Sequence, residues 1–187
     1  MSTKFIKCIL LIATMFMFYS FDFDEAKGWI KAGSKPNSYN MGIDKGAGKD
    51  GNNCASIKST DRKIEGFGTL MQNFNPDDYI GQKIRMTGSM RSKDVEKTAG
   101  FWLRIDNTDS KKLFDNMHDR PVKGNTEWTQ YDIVLEVPYN ASNIAFGALL
   151  NGTGQIWFDN IDFEVAGDSI PSTGKPKDKP DNLDFEK

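Results

Sequence analysis

The sequence predicts an all-β protein built as an antiparallel two-sheet β-sandwich. Short runs of strand-forming residues are separated by Gly, Asn, Asp and Pro at intervals of about 8–12 residues, which is typical of a sandwich or barrel. No segment carries an apolar stripe of helical period over three turns. The predicted strands, in chain order, are 21–24, 28–33, 38–43, 55–60, 67–74, 82–91, 99–106, 112–117, 128–137, 143–150 and 154–165.

Alternation of apolar and polar residues assigns faces to these strands. In 99–106, three apolar residues point to one side of the sheet, namely Phe101, Leu103 and Ile105. The residues between them point to the other side, namely Trp102, Arg104 and Asp106. One dry and one wet face per strand favours a sandwich, and a tryptophan beside an arginine makes this wet face a candidate ligand surface.

Composition sets the class of the protein. The chain has 187 residues, enough for one domain and its ends. Hydrophobic residues make up 38% and aromatic residues 12%, sufficient for a core. A net charge of −2 provides no basic surface, so nucleic acid is not an expected partner.

Residues 1–20 predict a signal peptide. Lys4 and Lys7 precede an apolar run that begins at Cys8 and is short for a membrane span. We therefore expect an exported protein (extracellular, periplasmic or at the cell surface) with no stable membrane insertion after signal removal. A buried N-terminal strand or a retained anchor are the alternatives. Once Cys8 is removed, Cys54 has no disulfide partner, and we expect it to be a buried residue rather than a nucleophile.

The predicted β-sandwich domain spans residues 21–166, and residues 167–181 predict an extended, mobile linker rich in Pro and Lys. After it, Asn182-Leu-Asp-Phe-Glu repeats the type of Asn160-Ile-Asp-Phe-Glu. Residues 182–187 thus suggest the start of a further, truncated domain, with a chance echo as the alternative.

Four motifs in order resemble the galactose-binding-like jelly rolls. They are Phe21-Asp-Phe-Asp-Glu-Ala-Lys-Gly-Trp, Gly81-Gln-Lys-Ile-Arg-Met-Thr-Gly-Ser-Met-Arg-Ser, Thr126-Glu-Trp-Thr-Gln-Tyr-Asp-Ile-Val-Leu-Glu-Val-Pro and Ile156-Trp-Phe-Asp-Asn-Ile-Asp-Phe. The resemblance implies jelly-roll topology. It also raises the expectation of a carbohydrate-binding accessory domain, because many members are non-catalytic modules of secreted hydrolases, although fold alone does not settle function.

The same resemblance implies one structural Ca²⁺ where the first and last strands meet. Asp24 (or Glu25) and Asp159 match the carboxylate positions, and carbonyls of the loop from Lys49 to Asn52 are further candidate ligands. The alternative is that these acids are solvated strand ends.

Sugar recognition needs an aromatic platform and planar polar groups. The candidates on one concave face are Gln72, Trp102, Arg104, Asp115, Asn116 and Trp128. In the alternative interpretations, Trp128 caps the core, and Trp102 with Arg104 forms a surface pair without a ligand.

Catalysis is not predicted. The chain contains no nucleophile elbow, zinc-ligand spacing or phosphate loop, and the single histidine, His118, is expected at a surface or rim. We expect a non-catalytic module that binds a carbohydrate. The alternatives are a structural or docking domain beside the catalytic domain of a larger secreted enzyme and, more remotely, a small hydrolase using Asp115 or Glu127.

Overall fold

The computed structural model describes residues 23–174. The predicted signal peptide, the second half of the predicted linker and the predicted start of a further domain lie outside these residues. Within 23–174, no helix has the length and apolar character needed to cross a membrane.

The described chain is almost entirely β-structure, which confirms the predicted fold class. Two three-residue 3-10 helices, Pro36–Ser38 and Asp77–Tyr79, interrupt it. The strands of this region are β1 (Ile30–Gly33), β2 (Tyr39–Asp44), β3 (Cys54–Ser59), β4 (Phe67–Phe74), β5 (Lys83–Asn107), β6 (Lys112–Asp115), β7 (Val122–Glu136), β8 (Ala141–Asn151) and β9 (Gln155–Ala166). Of the predicted run 21–24, the described part contributes an isolated bridge between Asp24 and Ile43.

The strands form two antiparallel layers that share β5. Its first half pairs with β7 on one side and β9 on the other, and β9 continues through β3 to β2. Its second half pairs with β8 and β6, and β8 continues through β4 to β1. We call the first layer the β9 sheet and the second the β8 sheet.

A bend in β5 joins the two sheets. The sequence predicts two strands here, 82–91 and 99–106, whereas the structure has one strand of 25 residues. Three register shifts against β7 fall between Met90 and Ala99, and Asp94 has a φ of 52°. Such bulges bend and twist a strand, and an aspartate tolerates the left-handed region better than most residues. The strand thereby crosses from one sheet to the other without a loop.

The core lies between the sheets and contains the predicted inward faces. Phe101, Leu103 and Ile105 are at most 1% exposed. From the β9 sheet, Ile84, Met86 and Met90 are at most 1% exposed. Phe101 packs edge-on against Phe158 of β9, with ring centroids 6.0 Å apart, a favourable aromatic geometry.

The segment after β9 corrects part of the linker prediction. Residues 167–174 do not leave the domain but lie along β7, where Thr173 N donates to Val134 O at 2.8 Å. Thr173 also bonds Asp115, and Asp115 forms an ion pair with Arg120 at 2.7 Å. Proline and lysine content predicted mobility, but the Thr173 amide and hydroxyl both bond the Val134 backbone of β7 and hold the segment there.

We predict that Gly88→Ala destabilises the protein. An added Cβ would lie 2.7 Å from Cζ of Phe101, which is 1% exposed and held by Phe158. Overpacking of this kind costs about 1–3 kcal/mol of unfolding free energy, measurable by urea denaturation. Gly167→Ala is the control, because its Cβ would meet nothing within 4 Å. Equal stability of the two variants would contradict the prediction.

We also predict that Asp115→Asn destabilises the protein in a pH-dependent way. Burial opposes ionisation of this carboxyl, but bonds from Arg120, Thr173 and the Met117 amide outweigh it and hold the pKa of Asp115 below its usual range. Its charge therefore contributes stability above the unfolded pKa of about 4, and the contribution is lost as the pH falls through the lower folded pKa. Losing the charge at pH 7 should cost about 3 kcal/mol, since the carboxylate is an enclosed partner of an arginine.

The control is Asp119→Asn, which alters the exposed partner of the same arginine. We expect it to change the unfolding free energy by at most about 0.5 kcal/mol. Urea unfolding of both variants and the wild type at pH 7 and pH 3 makes the comparison. A deficit in Asp115→Asn that stays constant down to pH 3 would refute the assigned role of the charge.

Candidate ligand-binding site

A cavity of about 600 Å³ opens on the outer face of the β8 sheet. This volume lies within the range of small-molecule and oligomer sites. Its lining comes from β1, β4, β5, β6, β8 and the segment after β6, namely Ala32, Gly33, Phe67, Thr69, Met71, Thr98, Ala99, Trp102, Arg104, Phe114, Asn116, His118, Pro121, Leu149 and Asn151.

Small residues make room for this cavity. Trp102 of β5 pairs with Gly147 of β8, and Gly147 pairs in turn with Met71 of β4. A Cβ on Gly147 would lie 2.2 Å from the Leu70 carbonyl oxygen, so this position requires glycine. No side chain therefore stands between Trp102 and Met71 on β8.

A second glycine lets one wall cross the sheet. A Cβ on Gly100 would lie 3.3 Å from Met117 Cβ and 3.7 Å from the Asn116 carbonyl oxygen. The segment after β6 thus passes closely over β5, and Met117, whose φ is 57°, is 0% exposed. This crossing brings Asn116 and His118 to the cavity.

Trp102 is a fixed part of the wall. It is 6% exposed, and its indole N–H donates to Oγ1 of Thr69 at 2.9 Å. The Thr69 hydroxyl donates in turn to the Ala148 carbonyl at 2.7 Å. The ring of Phe114 lies 6.3 Å from that of Trp102 and is tilted by 55°, while Phe114 itself is 49% exposed. Beside Trp102 the accessible aromatic surface is therefore that of Phe114, while Phe67, 38% exposed, is the accessible ring on β4.

Arg104 is held by the neighbouring acid on its own strand. Its Nη2 donates to Oδ2 of Asp106 at 3.0 Å, and Asn143 Nδ2 donates to the same oxygen at 3.0 Å. Burial opposes the charge on Asp106, but the bonds from Asn143 and Arg104 outweigh it and lower its pKa. The guanidinium is thereby oriented at the cavity edge, and its side chain remains 33% exposed.

Four polar side chains of the lining are available to a ligand. Thr98, Asn116, His118 and Asn151 face the cavity and make no side-chain hydrogen bond to any residue in 23–174. Such groups can exchange bonds with water for bonds to ligand hydroxyls without breaking a contact within the described chain.

The structure brings together three of the six predicted sugar-binding residues. Trp102, Arg104 and Asn116 all line the cavity. Their grouping follows from strand alternation for the first two and from the crossing segment for the third.

Two of the remaining predictions fail because of strand faces. Gln72 follows Met71 on β4 and pairs with Phe146 of the core, so it lies on the opposite face of the sheet from the cavity. Asp115 pairs with the buried Leu103, and its side chain is 0% exposed beside Arg120. Asp115 is a structural anion rather than a rim residue.

Trp128 belongs to the other sheet. It lies on β7, where the guanidinium of Arg91 is 5.4 Å from its ring centroid and 4.2 Å from that of Trp157. The Trp157 indole N–H donates to Oδ2 of Asp44 at 2.7 Å. This cation–π stack lies on the β9 sheet, so the predicted grouping of Trp128 with Trp102 is wrong. Glu127 is exposed on β7, outside the cavity lining.

The predicted calcium ligands do not meet at one point. Asp24 bridges Ile43, which pairs with Ala55, which pairs with Phe158 beside Asp159. Neighbouring strands lie about 4.8 Å apart, so these three steps from strand to strand place the two acids roughly 14 Å from each other.

The surroundings of the individual acids also argue against a shared metal site at Asp24 and Glu25. Asp24 forms an ion pair with Lys45, and Glu25 is exposed. No three His, Cys, Asp or Glu side chains within 23–174 could hold one metal. Asp24 and Glu25 thus do not fit the site, whereas Asp159 Oδ2 and the Asn52 carbonyl both lie near Gly48. The calcium itself stays a prediction.

Cys54 is buried, as predicted for a non-nucleophilic residue. Its burial raises the pKa of the thiol to about 12, with the charges of Asp44 and Asp159 acting in the same direction and that of Arg91 against it. The thiol is therefore protonated at neutral pH and is a poor nucleophile.

The sequence-based prediction missed most of the cavity. Phe67 and Phe114 are large, exposed aromatics on outer strand positions, and that combination was a usable signal. No sequence signal marked Thr98, Asn151 and His118. They come together only because of the order of the strands and the crossing of the segment after β6.

One curated relative is similar along most of the chain. It is the "Uncharacterized HTH-type transcriptional regulator YbfP" of Bacillus subtilis (strain 168), which is 41% identical over 167 residues, or 86% of this chain. The chain spans 57% of the length of this relative. No protein-family model matches the chain.

Solved structures with the same fold include three carbohydrate-binding proteins. The CBM22-1–GH10 modules of Clostridium thermocellum xylanase 10B, complexed with xylohexaose, give a TM-score of 0.57 at 14% identity over 75% of this chain and 26% of theirs. A xylan-binding domain from CBM 22 gives 0.55 at 14% identity over 81% of this chain and 97% of its own. TmCBM61, in complex with β-1,4-galactotriose, gives 0.50 at 12% identity over 76% and 91%. The two sheets, their shared strand and these likenesses establish that the described chain has the jelly-roll β-sandwich fold of these modules.

Proposed function

We propose that this protein is a non-catalytic carbohydrate-binding module that holds its ligand in the cavity of the β8 sheet. The observation that carries the proposal is the open cavity itself, with the half-exposed ring of Phe114 beside unpaired polar side chains. An aromatic ring offers its face to the C–H surface of a sugar, and planar polar groups bond the hydroxyls.

The solved relatives support the same assignment at the level of class. Xylohexaose and β-1,4-galactotriose accompany structures of this fold. Because identity to these proteins is 12–14%, they supply candidate ligands for a panel and not the ligand of this chain.

Export is part of the proposal. A module of this kind meets polysaccharides outside the cell, and the charge and apolar run of residues 1–20 support a signal peptide. Detection of the mature protein in the culture fluid or on the cell surface, with an N-terminus near residue 21, would test it.

Affinity electrophoresis of the full chain through gels containing xylan, galactan and other soluble polysaccharides tests the function. Retardation by at least one glycan is expected. If the folded protein is retarded in none of the gels, the result would instead favour the alternative function, a docking domain of a larger enzyme. Parallel gels with EDTA test the proposed calcium, since loss of retardation or of thermal stability is expected if the ion is bound.

We predict that Phe114→Ala weakens retention without unfolding the protein. Loss of an exposed stacking ring should cost about 1–2 kcal/mol of binding, or roughly 5–30-fold in Kd. The melting temperature should change little, because half of the side chain is in solvent.

Tyr139→Ala is the matched control. Tyr139 is an aromatic residue that is 87% exposed and does not line the cavity. It should retain wild-type affinity. If the two variants bind alike, the ligand does not occupy this cavity.

A further inference from the structure

The two sides of the cavity differ in chemistry. Every lining residue that β1 and β4 contribute is apolar except Thr69. Ala32, Phe67 and Met71 form this side, and Leu149 of β8 extends it. We call these four residues the apolar wall.

The polar group on that side is already used. Oγ1 of Thr69 accepts from the Trp102 indole and donates to the Ala148 carbonyl. A hydroxyl group placed against Met71, which pairs with Gly147 four residues along β8 from Asn151, would therefore give up its bonds to water and find no replacement among the lining residues. Such a loss costs about 1–3 kcal/mol in proteins.

Three of the four unpaired polar side chains lie on the opposite side, while the fourth, Asn151 of β8, pairs with Phe67 and borders one end of the apolar wall. Thr98 belongs to β5, and Asn116 and His118 belong to the segment that crosses it. Arg104 also belongs to this side, at the edge of the cavity. A sugar ring can satisfy its hydroxyls on this side and beside Asn151, but not against Met71.

We infer that the ligand is a glycan that carries acyl esters. Its ring hydroxyls bond the side formed by Thr98, Asn116 and His118, and its acyl groups pack against the apolar wall. Esterification removes the hydroxyl that the wall cannot satisfy and adds a methyl group that the wall favours. This inference rests on the proposed carbohydrate function and specifies its substrate class.

The preference should be measurable. Burying one methyl group changes an equilibrium constant about fourfold, and avoiding an unsatisfied hydroxyl adds to this. We therefore expect a Kd for the acylated glycan at least about fivefold lower than for the same glycan without esters.

The experiment uses the full chain and four probes. β-1,4-Xylan and β-1,4-galactan are each prepared in partially O-acetylated form, and part of each batch is deacetylated with mild alkali. Affinity electrophoresis gives the Kd for every probe. Tighter binding of an acetylated probe than of its deacetylated counterpart supports the inference. Equal or weaker binding of the acetylated probe overturns it and leaves the proposed function intact. No retention by any of the four overturns the inference, and the proposed function falls with it only if the wider polysaccharide panel also fails to retain the protein.

A variant places the preference on the wall. Met71→Gln keeps the length of the side chain but makes it polar, and it should reduce the ratio of the two Kd values toward one while the deacetylated probe still binds. Val165→Gln is the control, because Val165 is a 51% exposed apolar residue on β9, outside the cavity lining. An unchanged ratio in Met71→Gln would overturn the assignment of the acyl group to this wall.

Discussion

The bend in β5 is the constraint on which the rest of the structure depends. Because one strand of 25 residues belongs to both sheets, its two halves face each other across the core. Gly88 in the first half lies opposite Phe101 in the second, and the missing side chain of the one admits the ring of the other. The separation of the sheets is therefore set within a single strand. Trp102, the next residue, points to the other face, so this core contact also fixes where the cavity wall begins.

The cavity itself depends on contacts that bury little apolar surface. Gly147 allows close approach of β8 and β4, and Gly100 allows the segment after β6 to cross β5. That segment is then anchored from below by Asp115, which binds Arg120 and the Met117 amide. An ion pair with one wholly enclosed partner is costly to break. The anchor therefore suits a role in holding a wall whose upper side must stay open to a ligand.

Local pattern in the sequence predicted the strands and their inward faces, because alternation follows directly from the pleat. It did not predict that 82–91 and 99–106 are continuous, since the turn between them uses Asp94 at positive φ rather than glycine. Nor did it separate Trp128 from Trp102. Both alternate outward on their own strands, and only the order of strands in the two sheets places them on different surfaces. Of the three predicted residues that miss the cavity, Trp128 was thus lost to strand order, a long-range property, whereas Gln72 and Asp115 lie on the wrong face of their own strands.

Trp102, the aromatic residue that the sequence singled out for ligand binding, instead packs behind the exposed ring of Phe114. Trp102 is enclosed, its N–H is committed to Thr69, and Phe114 leans on its ring. In the proposed function the phenylalanine is the aromatic contact for the ligand, and the tryptophan packs behind it. Asn116 and His118 are polar lining residues without a side-chain partner in the described chain. The segment that carries them is held in its conformation by the buried Asp115, not by contacts at the cavity surface. The side chains proposed to bind the ligand are thus different from those that stabilise the fold. Substitution of the cavity-lining polar residues should therefore leave the jelly roll intact.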